Sequence, residues 1–278
     1  MRRRGIGFSG IMLAIGLLFL YVPIVLLILF SFNESRLVTV WGGWSLRWYE
    51  ALFSDQQMLR AAWLSIRIAA ITATIAVVLG TMAGVALVRF GNFRGRFLFT
   101  GMIATPLVMP EVIIGLSMLL MFVAMDQAIG WPAGRGMLTI IIAHATFCAA
   151  YVTVVVQSRL GSLDRSLEEA AMDLGARPLK VFFVITLPII APALIAGWLL
   201  AFTLSLDDLV VASFVTGPGA TTLPMLVFSS VRLGVSPQVN ALGSIIVALV
   251  SIGIILATAL MHRRERLRQR DEHLARAG

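Results

Sequence analysis

Long stretches of this sequence carry no charge. Gly5–Asn33, Ile68–Val88, Gly136–Ser158, Val181–Leu206 and Leu233–His262 contain no Asp, Glu, Lys or Arg, and Phe97–Met125 is interrupted only by Glu111. Each run exceeds the roughly 20 residues with which a helix crosses about 30 Å of hydrocarbon. The pattern predicts an all-α integral membrane chain with six spans, at about 8–32, 61–88, 98–125, 137–158, 183–206 and 239–261. The uncharged run Leu209–Val231 is different, because Gly217-Pro218-Gly219 and Pro224 divide it into pieces too short to span. Irregular backbone facing lipid would leave peptide groups unpaired, so this run is predicted to be a broken re-entrant or interfacial segment packed on protein.

Composition agrees with that reading. Hydrophobic residues make up 59% of the 278 positions and charged residues 13%, against about 25% in a soluble domain. A cytosolic enzyme and a disordered tail are excluded on that ground. The net charge of +8 does not indicate a nucleic-acid partner, because the arginines lie in short patches between apolar runs. Most of the basic residues fall on one side of a six-span scheme: Arg2–Arg4, then Arg89, Arg94 and Arg96, then Arg159, Arg165, Arg177 and Lys180, then the tail arginines from Arg263 to Arg276. Arg36, Arg47, Arg60, Arg135 and Arg232 fall on the other. The positive-inside rule then predicts that both termini are cytoplasmic, and a seventh crossing would break it. The basic start followed by a long apolar run reads as an uncleaved anchor rather than a signal peptide. No linker or repeat divides the chain, so residues 1–278 are predicted to form one transmembrane domain.

Catalytic chemistry is hard to find. Lys180 is the only lysine and does not sit in a Walker A loop, and there is no nucleophile elbow or zinc-binding helix motif. His144 and Cys148 lie one helical turn apart, which reads as a packed, hydrogen-bonded pair more readily than as a metal site; no metal or cofactor is predicted in this chain. Gly80-Thr81-Met82-Ala83-Gly84 is a small-x-x-x-small helix contact. Trp41, Trp44, Trp48 and Tyr49 are spaced to line one side of a short helix, either as an aromatic belt at the lipid interface or as a docking surface.

One segment between spans four and five looks soluble. Ser166 and Glu169 are spaced as a capping box, and Glu168 and Glu169 suit the positive end of a helix dipole. Leu167, Ala170, Ala171 and Leu174 recur at helical spacing, Gly175 supplies a left-handed stop, and Pro178 suits the first turn of the next helix. A helix of about nine residues, roughly 13 Å long, is predicted. Alone it would be marginal in water, so it packs either on its own spans or into a cytoplasmic partner.

Glu169-Ala170-Ala171, three residues, Gly175, nine residues and then Ile185-Thr186-Leu187-Pro188 resembles the EAA motif of permease subunits of ATP-binding-cassette (ABC) importers. The resemblance implies that this segment, with Glu168, Glu169, Ala170, Ala171, Asp173, Leu174 and Gly175, is the coupling helix seated on a separate ATPase subunit. Ser31–Trp41, Arg89–Gly95, Pro106–Pro110 and Phe214–Pro224 are similar to the second permease subunits of bacterial putrescine and polyamine uptake systems. That likeness implies a heterodimer with a related permease in the inner membrane, an ATPase pair holding ATP and Mg, and a periplasmic polyamine-binding protein. A permease for another small solute is the nearest alternative; a membrane enzyme or a structural subunit is more distant.

A polyamine is cationic near pH 7, so its path needs acceptors or aromatic faces. Glu111 and the pair Asp207-Asp208 are the acidic candidates in or beside the spans, and Trp198 offers a cation–π face unless it faces lipid or a partner. Asp126 is set aside as solvated. Structural roles compete for the same side chains: Asp207 or Asp208 can cap a helix starting near Leu209, and Glu111 can pair with Arg67.

Overall fold

The computed structural model describes residues 8–37, 40–233, 237–252 and 255. The start MRRR, the end of the predicted sixth span and the arginine tail lie outside the described residues. Among those described, the chain is helical, and its one β-type contact is an isolated bridge between Asn33 and Trp44. Two compact units are present, one of residues up to Gln56 together with those from Ser229 on, the other Gln57–Phe228.

In the first unit α1 (Phe8–Ser31) is a 24-residue apolar rod, and α2 (Arg47–Ser54) follows a loop. The loop is built on Asn33. Its Oδ1 accepts the Gly42 N–H at 2.8 Å and its Nδ2 donates to the Val40 carbonyl at 2.8 Å. The aromatic residues do not share one helical face as the sequence suggests. Trp41 and Trp44 precede α2 and stack edge-on at 5.1 Å, because Gly42-Gly43 lets the chain turn before a helix can start. Trp48 is buried, with its indole N–H donating to the Asn33 carbonyl at 2.6 Å. The apolar helix α12 (Pro237–Ile252) covers the described start of the predicted sixth span.

The second unit is arranged around α6 (Met137–Gly161). Of its most apolar stretch 67% is buried, against 39% for α3 (Gln56–Arg89) and 11% for α5 (Glu111–Ile129). Ile140, Val152, Val156 and Leu160 are fully buried along it. Helix α3 reaches α6 through its paired glycines: a Cβ at Gly80 would stand 2.7 Å from the Val152 side chain, and one at Gly84 3.0 Å from Val156. Close backbone approach of this kind is how apolar helices associate without a hydrophobic drive between them.

The predicted third span does not form as one helix. α4 (Arg96–Val108) ends at Met109, whose ψ of 139° is extended, and α5 begins at Glu111. Pro110 causes the break, since its ring disfavours a helical conformation in the residue before it and it has no N–H to continue the ladder. The fifth span starts earlier than predicted. α8 (Pro178–Val181), a π-helical turn (Phe182–Thr186) and α9 (Leu187–Leu206) make one 29-residue rod. Pro188 withholds the N–H that Val184 would accept, and its ring crowds that carbonyl, so the helix widens over the preceding turn.

The broken segment is present as α10 (Val210–Val215), the Gly217-Pro218-Gly219 turn and α11 (Leu223–Leu233). It is pinned by hydrogen bonds. The Thr139 hydroxyl donates to the Val215 carbonyl at 2.7 Å, Arg135 Nη1 to the Phe214 carbonyl at 3.3 Å, and the Leu223 N–H to Ser65 Oγ at 2.7 Å. Among the described residues, five helical rods are long and apolar enough to cross a membrane: α1, α3, α5, α6 and the Pro178–Leu206 rod.

The contact of α3 with α6 makes a testable claim. Gly80→Ala should lower thermal stability in detergent by about 1–3 kcal/mol through overpacking. Val152→Ala in the same chain should recover part of that loss, which a double-mutant cycle reads as strong coupling. Additive effects would place the two residues out of contact.

Candidate functional site: a carboxylate-lined cavity and an exposed short helix

Two features of the second unit carry chemistry. The first is a cavity of about 480 Å³ where two chain breaks face each other. One wall is the α4–α5 break, with Pro106, Met109, Pro110 and Glu111; another is the α9–α10 break, with Asp207, Asp208 and Leu209; Phe147 and Tyr151 of α6 add aromatic rings. Non-helical backbone at membrane depth is tolerated where it lines a cavity. Three of the four path residues predicted from the sequence therefore share one space.

Each carboxylate there is held differently. Glu111 is exposed in the first turn of α5, where an acid suits the helix dipole, and among the described residues no ion pair joins it to Arg67. Asp207 is exposed at the end of α9. Asp208 is buried, and its Oδ2 accepts the Ala212 N–H at 2.7 Å while Oδ1 lies 3.4 Å from the Val211 nitrogen, so it caps the start of α10 as the sequence allowed. The structure does not bring Trp198 into this cavity. Its indole N–H donates to Thr74 Oγ1 at 3.2 Å and its ring stacks on Phe202 at 5.2 Å.

His144 was missed as part of this site. Its Nε2 lies 3.1 Å from Asp208 Oδ2 and its Nδ1 2.8 Å from Ser205 Oγ. The predicted partner, Cys148, is occupied elsewhere, its thiol directed at the Ala201 carbonyl at 3.6 Å. His144 and Asp208 are 64 positions apart, so only the packing of α6 on α9 could reveal the pair. No group of three possible metal ligands occurs among the described residues.

The second feature is α7 (Ser166–Asp173), within one residue of the predicted length. Its start differs from the predicted capping box. Ser166 is the first helical residue, not the cap, and its N–H donates to Asp164 Oδ1 at 3.0 Å. That bond, with the Ser166 hydroxyl, holds the Asp164 carboxyl below the usual carboxylate range. Its end is as predicted. Gly175 has φ of +85°, its N–H reaches the Met172 carbonyl at 2.8 Å, and the Ala176 N–H reaches Ala171 at 3.1 Å, which together form a Schellman stop.

Glu168 ties this helix to the membrane rods. Arg89 Nη2 donates to Glu168 Oε1 at 3.1 Å, Arg89 Nε lies 3.0 Å from Oε2, and the Thr186 hydroxyl donates to Oε1 at 2.7 Å. The end of α3, the exposed helix and the π-turn before α9 thus meet on one carboxylate. Arg165 and Arg96 donate to the Val88 and Leu87 carbonyls at 2.8 and 3.0 Å, satisfying the last turn of α3. The rest of α7 is open: Glu169, Ala170 and Asp173 are exposed, as are Leu167 (50%), Met172 (42%) and, just past its end, Leu174 (90%).

Among solved structures, the chain matches a bacterial ABC transporter that imports the acidic polysaccharide alginate, with a TM-score of 0.67 at 19% identity over 91% of this chain and 94% of that one. It also matches an inward-facing MetNI methionine ABC transporter, with a TM-score of 0.59 at 17% identity over 74% of this chain and 94% of that one. The fold is that of ABC-transporter permease chains. The family described as binding-protein-dependent transport system inner membrane component matches residues 76–268, and the chain belongs to it. It is 64% identical to the putrescine transport system permease protein PotI of Escherichia coli (strain K12), over 96% of this chain and 95% of the relative. It is 40% identical to the spermidine/putrescine transport system permease protein PotC of the same strain, over 88% of this chain and 90% of the relative.

Proposed function

We propose that this chain is one of two permease subunits of a polyamine importer of the bacterial inner membrane, with putrescine as the principal cargo and spermidine as an alternative. The observation that carries the reading is the cavity in which Glu111, Asp207 and Asp208 share space with Phe147 and Tyr151. Carboxylates at membrane depth are costly, by about 2.5–3.5 kcal/mol on insertion scales, and face a cation or water when they persist. A diamine offers an ammonium at each end for the acids and methylenes for the rings between them. The 64% identity to a permease named for putrescine supports the same cargo.

In this reading residues 1–278 work as one permease domain of six crossings with both termini cytoplasmic. A related permease completes the path, and a periplasmic binding protein delivers the cation. ATP and Mg are bound by a separate ATPase pair. α7 is the coupling helix, and its exposed Leu167, Met172 and Leu174 supply the apolar contact that a nucleotide-binding partner would cover. Glu169, Ala170, Ala171, Asp173 and Gly175 set its docking face and exit turn. Glu168 acts inward, passing the motion of α7 to α3 and α9 through Arg89 and Thr186.

Gly175→Val and Glu169→Lys should each abolish uptake while the protein still inserts. Valine at positive φ costs about 1–3 kcal/mol and deflects the chain leaving α7. The lysine reverses charge at a helix N-terminus and at the docking face. Parental uptake by the Glu169→Lys variant, together with parental ATPase stimulation, would contradict the docking role.

The cavity is tested by charge. Asp208→Asn keeps an oxygen for capping α10 but removes the anion, so putrescine uptake should fall by about 10-fold or more while the complex still assembles. If Asp207→Asn, Asp208→Asn and Glu111→Gln all transport at parental rates, the cation path does not run past these side chains.

A further inference from the structure

The buried His144–Ser205–Asp208 chain has a protonation pattern that its donors and acceptors decide. A carboxylate oxygen only accepts, so the 3.1 Å contact requires a proton on His144 Nε2. Among the described residues Ser205 Oγ makes one hydrogen bond, at 2.8 Å, to His144 Nδ1. The hydroxyl therefore donates to Nδ1 and the ring is a neutral imidazole. Were both ring nitrogens protonated, Ser205 would have to accept, and its own proton would lack an acceptor among the described residues, at a cost of about 1–3 kcal/mol. The remaining polar groups about the ring are consistent: Cys148 points at the Ala201 carbonyl, and Asp207 lies toward the cavity.

The count also separates the two oxygens of Asp208. Oδ2 accepts from His144 and from the Ala212 N–H, which uses both its lone pairs. Among the described residues Oδ1 meets only the Val211 N–H, at 3.4 Å, and Asp208 lines the cavity. We infer that His144, oriented by Ser205, is a positioning residue that turns Oδ1 of Asp208 toward one ammonium of a passing diamine. This rests on the reading of the cavity as the cation path. A neutral donor suits the task, because it fixes the carboxylate without cancelling its charge. An arginine or lysine in its place would satisfy Asp208 and leave little attraction for the cargo.

Two substitutions that differ in reach make the test. In a glutamine side chain the amide nitrogen lies near the place of Nε2 and can still donate to Asp208; in asparagine it lies near Nδ1 and meets only Ser205. The assembled importer carrying His144→Gln, His144→Asn or Asp208→Asn is reconstituted with its ATPase and saturating binding protein. Uptake of labelled putrescine is read per ATPase subunit retained. The inference requires that His144→Gln stay within about 3-fold of the parent, and that His144→Asn fall by about 10-fold or more, the scale of one hydrogen bond to a charged group. Equal uptake by the two His144 variants, whether high or low, overturns it, as does failure of His144→Gln to assemble. If those variants are equal while Asp208→Asn is inactive, the positioning role alone is lost. Parental uptake by Asp208→Asn removes Asp208 from the path and the role of His144 with it, and the cavity reading falls as well if Asp207→Asn and Glu111→Gln also transport at parental rates.

Discussion

Helices in hydrocarbon gain nothing by hiding apolar surface from one another, so their association depends on how closely their backbones approach. In the second unit that constraint is met on α6. Val152 is the residue on which α3 closes through Gly80 and the fifth rod through Gly197, where an added Cβ would come within 2.7 and 3.3 Å of its side chain. The seam continues through Gly84 against Val156. With α6 gripped from both sides, its other residues are held at fixed depth: Thr139 to cap α10, His144 to meet Asp208, and Phe147 and Tyr151 to face the cavity.

The polar features follow from the breaks that this packing permits. Pro110 interrupts what would have been one span, and the chain turns again at Asp207–Leu209. Each break exposes peptide groups, and the two face the same cavity. Asp208 answers part of that demand by accepting N–H groups at the start of α10. On the cytoplasmic side of the proposed topology, a single carboxylate, Glu168, gathers three elements in the same economical way. Because Arg89 and Thr186 both bond it, a push on α7 has a polar route into α3 and into the π-turn of the fifth rod.

Much of this was legible in the sequence. Uncharged runs marked the rods, and the Gly175 stop was readable because only a residue tolerant of positive φ fits there. Glu111, Asp207 and Asp208 stood out as acids among apolar neighbours, and they do share one cavity. The failures were also physical. Span length outweighed Pro110, although a proline after an extended Met109 is a strong stop. Ser166 matched a capping box, but the Asp164 carboxylate two residues earlier is the better acceptor and took its N–H. Trp198 was read as offering a cation–π face if it did not face lipid or a partner; its ring stacks on Phe202 and its indole N–H bonds Thr74. The partners of His144 and the Arg89 partner of Glu168 lie about 60 to 80 positions away and have no local signature.

The central claim is that this chain lines a path for a dication that another polypeptide drives. Proteoliposomes containing this chain, its companion permease and the ATPase, supplied with the binding protein, test it directly. Labelled putrescine should accumulate only with ATP and only when all the components are present, and excess unlabelled putrescine should compete better than spermidine. Accumulation without the ATPase, or ATP-driven uptake of a neutral solute in preference to either polyamine, would contradict the account.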